Sequence, residues 1–233
     1  MTPATWEIRT DSDVTTAVWD PPRGVLRATF VCAHGAGGHM NDRSVVAVTG
    51  ALRERGIGTV RFNFFYRARG SGRPDPMPRL LDCWQAVLAR VRAELDPHVL
   101  ILGGRSMGGR AASVLVSQGE SCEGLLLLAY PLHPPGHPEK PRASHLRTID
   151  VPVLCINGTR DPFCERPLME QTLEELGSNW RMHWVEGADH SFHVLKRSGR
   201  TDADVLNEVA DECDRWLVES QAPETQRRRA DRN

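Results

Sequence analysis

Residues 100–110 read LILGGRSMGGR, and this stretch decides the fold. An apolar run at 99–102 leads into it, and an amphipathic stretch at 107–118 leads out of it. Apolar residues without polar alternation predict a strand that is buried on both faces, and the spacing that follows predicts a helix. The stretch therefore predicts a sharp strand-to-helix turn with Ser106 at its apex.

The residues around Ser106 form the pattern Gly-x-Ser-x-Gly, from Gly104 to Gly108. Only small residues fit two positions before and after a serine in such a strained turn. The turn exposes the hydroxyl above the C-terminal edge of the sheet, and the amide end of the following helix points at it. We therefore expect Ser106 to be a nucleophile. The alternative is a glycine turn that binds phosphate or only reverses the chain, but the usual phosphate-loop patterns are absent.

Apolar runs and helical patterns alternate along the rest of the chain. Predicted strands lie at 26–33, 58–64, 99–102, 125–130, 151–157 and, more weakly, 181–185; predicted helices lie at 43–55, 77–95, 107–118, 165–176 and 202–218. Two early segments, 5–9 and 14–19, predict an antiparallel hairpin. The alternation indicates the α/β class: a doubly wound, mostly parallel sheet with right-handed crossovers.

Composition limits the domain organisation and the partners. The chain has 233 residues and a formal net charge of −1, so we expect one domain over 1–219 and no nucleic-acid partner. Residues 131–147 are rich in proline and predict a minimal lid, and residues 220–233 predict a disordered tail.

No apolar run is long enough to span a membrane, and no secretory leader is expected. The six cysteines form no C-x-x-C pair, so we expect reduced thiols and a cytoplasmic location. The sequence gives no oligomeric state.

A glycine-rich segment follows another predicted strand, and it reads HGAGGH over residues 34–39. Acyl transfer needs two backbone N–H donors for the developing oxyanion. We assign one donor to Met107, the residue after the nucleophile, and the other to Ala36, with Gly37 as a near alternative. An ordinary glycine turn before a helix is the competing interpretation. His34 is expected to order this loop.

An acid and a base are expected after the later strands, in that chain order. Asp161 follows the strand at 151–157, and His190 follows the strand at 181–185. His193 is an alternative base, and Asp189 an alternative carboxylate, although a neighbour in sequence does not easily reach the imidazole of His190. Asp161 could also be a turn residue before Pro162. The histidines and cysteines lack a ligand cluster, so no metal is expected.

Substrate-binding candidates surround these residues. We assign Gly37, Tyr66 and Arg105 to substrate contacts. Further arginines stand near the predicted mouth, at Arg67, Arg69, Arg73 and Arg160. One interpretation is that some of these arginines attract an acidic acyl or leaving group, and the other is that they pair with local carboxylates or are solvated.

Five short motifs give the chain a family resemblance: HGAGG at 34–38, GGRSMGGR at 103–110, YPLHPPG at 130–136, NGTRDPF at 157–163 and GADHSF at 187–192. Over residues 25–218 the sequence resembles the α/β-hydrolase superfamily, and more narrowly its dienelactone-hydrolase-like branch. That branch includes relatives of a testis-expressed animal protein and of the third subunit of the NSL histone-acetyltransferase complex. The resemblance implies a triad of Ser106, Asp161 and His190, although dienelactone hydrolase itself has a cysteine at the position of Ser106.

Together these patterns predict a serine hydrolase that needs no cofactor. Its expected substrate is a small soluble acyl compound, cleaved as a carboxylic ester or thioester through an acyl-enzyme on Ser106. The alternative is an interaction module that keeps the α/β-hydrolase fold without catalysis.

Overall fold

Eight strands form one sheet in the computed structural model, which describes residues 1–221. The strands are β1 (Ala4–Arg9), β2 (Val14–Asp20), β3 (Ala28–Ala33), β4 (Ile57–Phe62), β5 (Leu100–Arg105), β6 (Gly124–Leu128), β7 (Val153–Gly158) and β8 (Trp180–Val185). Their order across the sheet is β1-β2-β4-β3-β5-β6-β7-β8. The strands from β3 onward run parallel, whereas β1 and β2 form an antiparallel hairpin at one edge. The predicted doubly wound, mostly parallel sheet is confirmed.

Helices cover both faces of the sheet. They are α1 (Arg43–Arg53), α2 (Phe65–Ala68), α3 (Met77–Leu95), α4 (Met107–Ser117), α5 (Arg166–Glu174) and α6 (Asp202–Gln221). Within residues 1–221, no helix is both long enough and apolar enough to pass through a bilayer.

The strands are apolar throughout because their side chains enter two separate cores. In β3, Val31 and Ala33 pack with residues of α3, α4 and α5, whereas Phe30 and Cys32 pack with residues of α1 and α6. Burying one side chain of this size stabilises the fold by about 1.5–3 kcal/mol. Both faces therefore hold the sheet rigid beneath the loops at its C-terminal edge.

The observed elements differ from the predicted ones at a few positions. β5 continues past Leu102 to Arg105, because Gly103 pairs with Cys32 of β3 and Leu126 of β6. α2 was not predicted, since four residues are too few to show helical periodicity. α6 runs to Gln221, beyond the predicted boundary at 219. The rest of the predicted tail, 222–233, lies outside the described residues.

Residues 131–147 form an irregular excursion between β6 and β7. It ends in a short 3-10 turn, Leu146–Thr148. Leu132 and Leu146 are fully buried, so the excursion is anchored to the core next to α4. It contains no amphipathic helix that could open over the sheet, which agrees with the prediction of a minimal lid.

Candidate active site

The C-terminal ends of four parallel strands bring the predicted site residues to one edge of the sheet. Ser106 follows β5, Asp161 follows β7, and His190 follows β8, while the loop that begins at His34 follows β3. Parallel strands carry their C-terminal ends on the same side, so residues far apart in sequence meet there.

Ser106 stands at the turn between β5 and α4 in a strained conformation, with φ of 52° and ψ of −119°. Its backbone N–H donates to the Leu128 carbonyl oxygen at 2.8 Å, which fixes the turn to β6. A methyl group added to Gly104 or Gly108 would collide with the backbone of Ala33. The two glycines are therefore required by the close approach of β3.

His190 connects Ser106 to Asp161 through two hydrogen bonds. The Ser106 hydroxyl lies 2.9 Å from Nε2 of His190, where it donates its proton. The other ring nitrogen, Nδ1–H, donates to Oδ2 of Asp161 at 2.8 Å. The structure thus brings together the three residues that the sequence nominated, in the order a base-activated serine needs.

Asp161 is held from several sides. Its side chain is completely buried. The Phe163 N–H donates to Oδ1 at 2.9 Å, and Nδ2 of Asn157 donates to Oδ2 at 3.1 Å. Asn157 also bonds both backbone groups of Tyr130. Sequence reasoning missed Asn157, although it stands in the NG pair that ends β7.

The two alternatives for acid and base have other roles. His193 is 55% exposed at its side chain and pairs with Asp202 at 2.9 Å, whereas the His190 side chain is 17% exposed. Oδ1 of Asp189 accepts the N–H groups of Ser191 and His193. Asp189 and His193 therefore order the loop that carries His190.

The Phe163 ring lies against the His190 imidazole, with 4.4 Å between ring centroids. This contact covers one face of the imidazole and limits its rotation. Phe163 thus both donates a backbone hydrogen bond to Asp161 and packs on His190. The sequence pointed to this segment only through the NGTRDPF motif.

Two backbone amides, one in the loop after β3 and one at the start of α4, have no acceptor within the described chain. Within residues 1–221, the N–H groups of Ala36 and Met107 have no backbone or side-chain acceptor. His34 orders this loop: its Nδ1 bonds the Gly35 carbonyl oxygen at 2.8 Å, and its Nε2 accepts the Phe64 N–H at 3.2 Å. Burial lowers the pKa of His34 to about 4, so the imidazole stays neutral. Its predicted ordering role fits these contacts.

Tyr66 lies under the same loop, close to Gly37. Its side chain is fully buried, and its hydroxyl has no acceptor or donor within hydrogen-bond geometry among the described residues. Burial raises the pKa of Tyr66 to about 12. The hydroxyl is thus neutral near pH 7 and sealed from solvent beneath the loop.

Arg105 and Arg160 both donate to the loop that carries His190. Nη2 of Arg105 lies 3.0 Å from the His190 carbonyl oxygen and 3.2 Å from Oγ of Ser191. Nη1 of Arg160 lies 3.1 Å from the Gly187 carbonyl oxygen. Burial lowers the pKa of Arg105 despite nearby carboxylates.

The remaining arginines of the predicted mouth have their own contacts. Arg69 pairs with Asp13 and Asp75, and Arg67 donates to the Ser71 carbonyl oxygen. Arg73 is exposed and makes no ion pair within residues 1–221. Four of the five arginines are therefore already engaged within the protein: Arg67, Arg105 and Arg160 donate to carbonyl oxygens, and Arg69 pairs with carboxylates.

In residues 1–221, no three His, Cys, Asp or Glu side chains are arranged to hold a metal ion. All six cysteines are buried and free. The chemistry at the edge of the sheet is that of a serine, an imidazole and a carboxylate.

Comparison with known protein families decides which fold family this is. Residues 26–218 match the model of an alpha/beta hydrolase domain. The chain belongs to the alpha/beta hydrolase family. The match covers every parallel strand and all three residues of the Ser106 hydrogen-bond chain.

Solved structures similar to this hydrolase come from several bacteria. An alpha/beta serine hydrolase homologue from Coxiella burnetii is 23% identical, with a TM-score of 0.72 over 95% of this chain and 99% of that one. A serine hydrolase without a lid from Xanthomonas campestris is 25% identical, with a TM-score of 0.72 over 95% and 96%. A dienelactone hydrolase from Anabaena variabilis is 19% identical, with a TM-score of 0.69 over 93% and 97%. The fold is therefore that of the alpha/beta serine hydrolases.

Proposed function

We propose that this hydrolase cleaves a carboxylic ester or thioester of a small soluble compound through an acyl-enzyme on Ser106. The observation that carries the proposal is the unbroken hydrogen-bond chain from Ser106 through His190 to Asp161. In water a serine hydroxyl is a poor nucleophile, and it needs a base that is itself oriented by a carboxylate.

The reaction follows from these contacts. Oγ of Ser106 attacks the acyl carbonyl carbon while Nε2 of His190 takes its proton, and Asp161 stabilises the imidazolium. The N–H groups of Ala36 and Met107 hold the oxyanion, with the positive end of α4 behind Met107. The intermediate expels the alcohol or thiol, which receives the proton from His190.

Deacylation uses the same groups in reverse. A water molecule gives a proton to His190 as it attacks the acyl carbon, and Ser106 leaves with that proton when the acid is released. Tyr66 and Gly37 would contact the substrate beside the oxyanion. The proposal requires no cofactor.

The wider setting is proposed on sequence grounds. A formal net charge of −1 and buried, free cysteines support a cytoplasmic enzyme that acts without nucleic acid or membrane. The five motifs support a finer placement of the chain in the dienelactone-hydrolase-like branch, beside its testis-expressed and NSL-subunit relatives. The Xanthomonas relative without a lid supports an open pocket.

Labelling with an organophosphorus serine probe tests the proposed nucleophile. We expect stoichiometric labelling of the purified protein, loss of labelling in Ser106→Ala, and unchanged labelling in Ser117→Ala on the same helix. Wild-type protein that never labels would instead favour a non-catalytic interaction module. A panel of chromogenic esters and thioesters of increasing acyl length then defines the substrate, and a preference for long acyl chains would contradict a small soluble one.

A further inference from the structure

Arg110 lies one helical turn beyond Ser106 in α4, and its backbone N–H donates to the Ser106 carbonyl oxygen at 3.0 Å. Its guanidinium makes no ion pair and no hydrogen bond with any residue of 1–221, and its Nε is sealed from solvent without an acceptor. Side chains on a helix lean toward its N-terminus. Arg110 therefore extends toward the end of α4 that carries the serine.

Arg142 approaches Arg110 from the excursion between β6 and β7. Its backbone is fixed on both sides: its N–H donates to the Leu132 carbonyl oxygen at 2.6 Å, and its carbonyl oxygen accepts the Tyr130 hydroxyl at 2.9 Å. Its guanidinium also makes no ion pair or hydrogen bond in the part of the chain that the structure describes. Burial, and then the positive charge of Arg110, lower the pKa of Arg142.

Neutral groups complete the surroundings of the two arginines. The Ser113 hydroxyl donates to the Arg110 carbonyl oxygen at 2.8 Å and accepts Nε2–H of His145 at 2.8 Å. Burial, with the charge of Arg110 added, lowers the pKa of His145 to about 4. His145 thus stays uncharged near neutral pH, and it neither compensates nor adds to the two positive charges.

Unpaired charge of this kind is unusual in this molecule. Other shielded arginines have a partner within the chain: Arg61 pairs with Asp20 at 2.8 Å, Arg181 pairs with Glu212 at 2.8 Å, and Arg105 donates to the His190 carbonyl oxygen at 3.0 Å. Two guanidinium groups that share a partly buried space without a counterion repel each other, and an anion between them relieves that repulsion. Their planar forks match the oxygen pairs of carboxylate and phosphate groups.

We propose that Arg110 and Arg142 form a binding site for a carboxylate or phosphate group in the seam between α4 and residues 131–147. The anion is either part of the acyl substrate or a separate small ion, and the first of these rests on the proposed hydrolase function. The five arginines that the sequence placed at the mouth are different residues from this pair.

Inorganic phosphate is the probe for the binding test. At equal ionic strength, we expect millimolar phosphate to raise the melting temperature of the wild-type protein more than chloride does. Arg110→Gln and Arg142→Gln should each abolish this difference, and Arg197→Gln, which replaces an exposed arginine that makes no ion pair within residues 1–221, should retain it. An equal phosphate effect in all four proteins, or none in the wild type, overturns the site.

Amide chemical shifts of the wild-type protein provide a test that needs no variant. On phosphate addition, we expect the changes to concentrate at residues 106–114 and 130–146. Changes confined to other regions overturn the proposal even where a variant fails to fold.

Matched esters distinguish the two sources of the anion. If the substrate carries it, an ester with a distal carboxylate has kcat/KM about tenfold or more above its neutral analogue, Arg142→Gln removes the advantage, and phosphate competes. If the anion is separate, phosphate binds as above while the two esters react alike. If the protein binds phosphate at these arginines but does not label at Ser106, the anion site stands and the hydrolase proposal is overturned.

Discussion

Two histidines lie three residues apart in the segment after β8, and only one of them contacts Ser106. His190 contacts Ser106, while His193 pairs with Asp202 at the surface. We expect His190→Ala to lower kcat by about 10³-fold or more, because in the proposed mechanism the nucleophile, base and carboxylate act as a unit. His193→Ala should lower kcat by less than about tenfold, since it removes only a loop contact. Ester hydrolysis by the two variants checks this, and the reverse ranking would overturn the assignment.

Arg105 holds the carbonyl oxygen of His190, so its loss should act through the position of the imidazole. A methyl group on Gly35 would lie 3.2 Å from Nη1 of Arg105, so this side chain joins the loop after β3 to the loop after β8. We expect Arg105→Gln to lower kcat by about tenfold or more while KM for a neutral ester changes little.

The exposed Arg160, which bonds the Gly187 carbonyl oxygen, is the matched control for Arg105. Arg160→Gln should change kcat by less than about threefold, because the bond it removes is at the surface. The Arg105→Gln variant should also react with the serine probe more slowly and keep the wild-type melting temperature within a few degrees. A large rise in KM at unchanged kcat would indicate direct substrate contact instead.

At the residue scale, the sequence predicted those side chains whose chemistry is signalled by a local motif. Ser106, Asp161 and His190 each follow a strand within a short recognisable pattern, and the structure brings them together. The roles of Asn157 and Arg105 depend on residues from other strands, so local sequence could not reveal them. The pair Arg110 and Arg142 was missed for the same reason, because an unpaired charge is visible only after all partners have been placed.

The β5–α4 turn makes a prediction at the scale of an element. Gly104 has φ of 139°, and a methyl group there would collide with Ala33 in the adjacent strand. Gly104→Ala should therefore destabilise the protein by well over about 1 kcal/mol.

Gly50, in the middle of α1, has no atom within 4 Å of an added methyl group and is the matched control. Gly50→Ala should stabilise the protein by about 0.5–1 kcal/mol, since alanine restricts the unfolded chain and favours helix. Urea unfolding measures the free energy of unfolding of both variants. A Gly104→Ala protein as stable as the wild type would mean that the turn does not need its glycine.

Element bounds could be predicted where the helical spacing of apolar residues extended over many residues. In α3 the predicted and observed bounds agree at Met77–Leu95. The end of β5 could not, because glycines are poor strand formers and only pairing with β3 and β6 keeps Gly103 and Gly104 extended. α2 fell below the length at which a helical pattern is detectable.

For the whole molecule, the buried His34 and the half-buried His145 predict how stability depends on pH. Burial lowers the pKa of His34 and of His145 to about 4, from an ordinary value of 6.5. Between these values the unfolded chain binds more protons than the folded protein. The free energy of unfolding should therefore be highest above pH 6.5 and fall as the pH falls toward 4.

Urea unfolding at several pH values between 4 and 7 tests this dependence. His145→Gln keeps a donor for the Ser113 hydroxyl but cannot titrate, so its stability should fall less steeply than that of the wild type. His98→Gln, an exposed position, should follow the wild-type curve. Equal steepness for wild type and His145→Gln would show that this imidazole is not shielded from water when folded.

The doubly wound, mostly parallel arrangement of the sheet was predictable because buried parallel strands lack polar alternation and each is followed by a helix or a connecting segment. Strand order across the sheet was not, since the positions of β3 and β4 relative to β5 depend on crossover packing that no local pattern encodes. The fold class therefore followed from the sequence, and the spatial neighbours within it did not.

The order of the strands along the chain also determines when the site can form during synthesis. His190, the proposed base, follows Ser106, the proposed nucleophile, by 84 residues, and the strand before it, β8, is the last of the sheet. A nascent chain on the ribosome thus carries an inert serine until nearly the whole domain has emerged. Ribosome-bound chains stalled before β8 should fail to react with the serine probe, and chains that expose all of α6 should react, so reactivity reports completed translation of the domain.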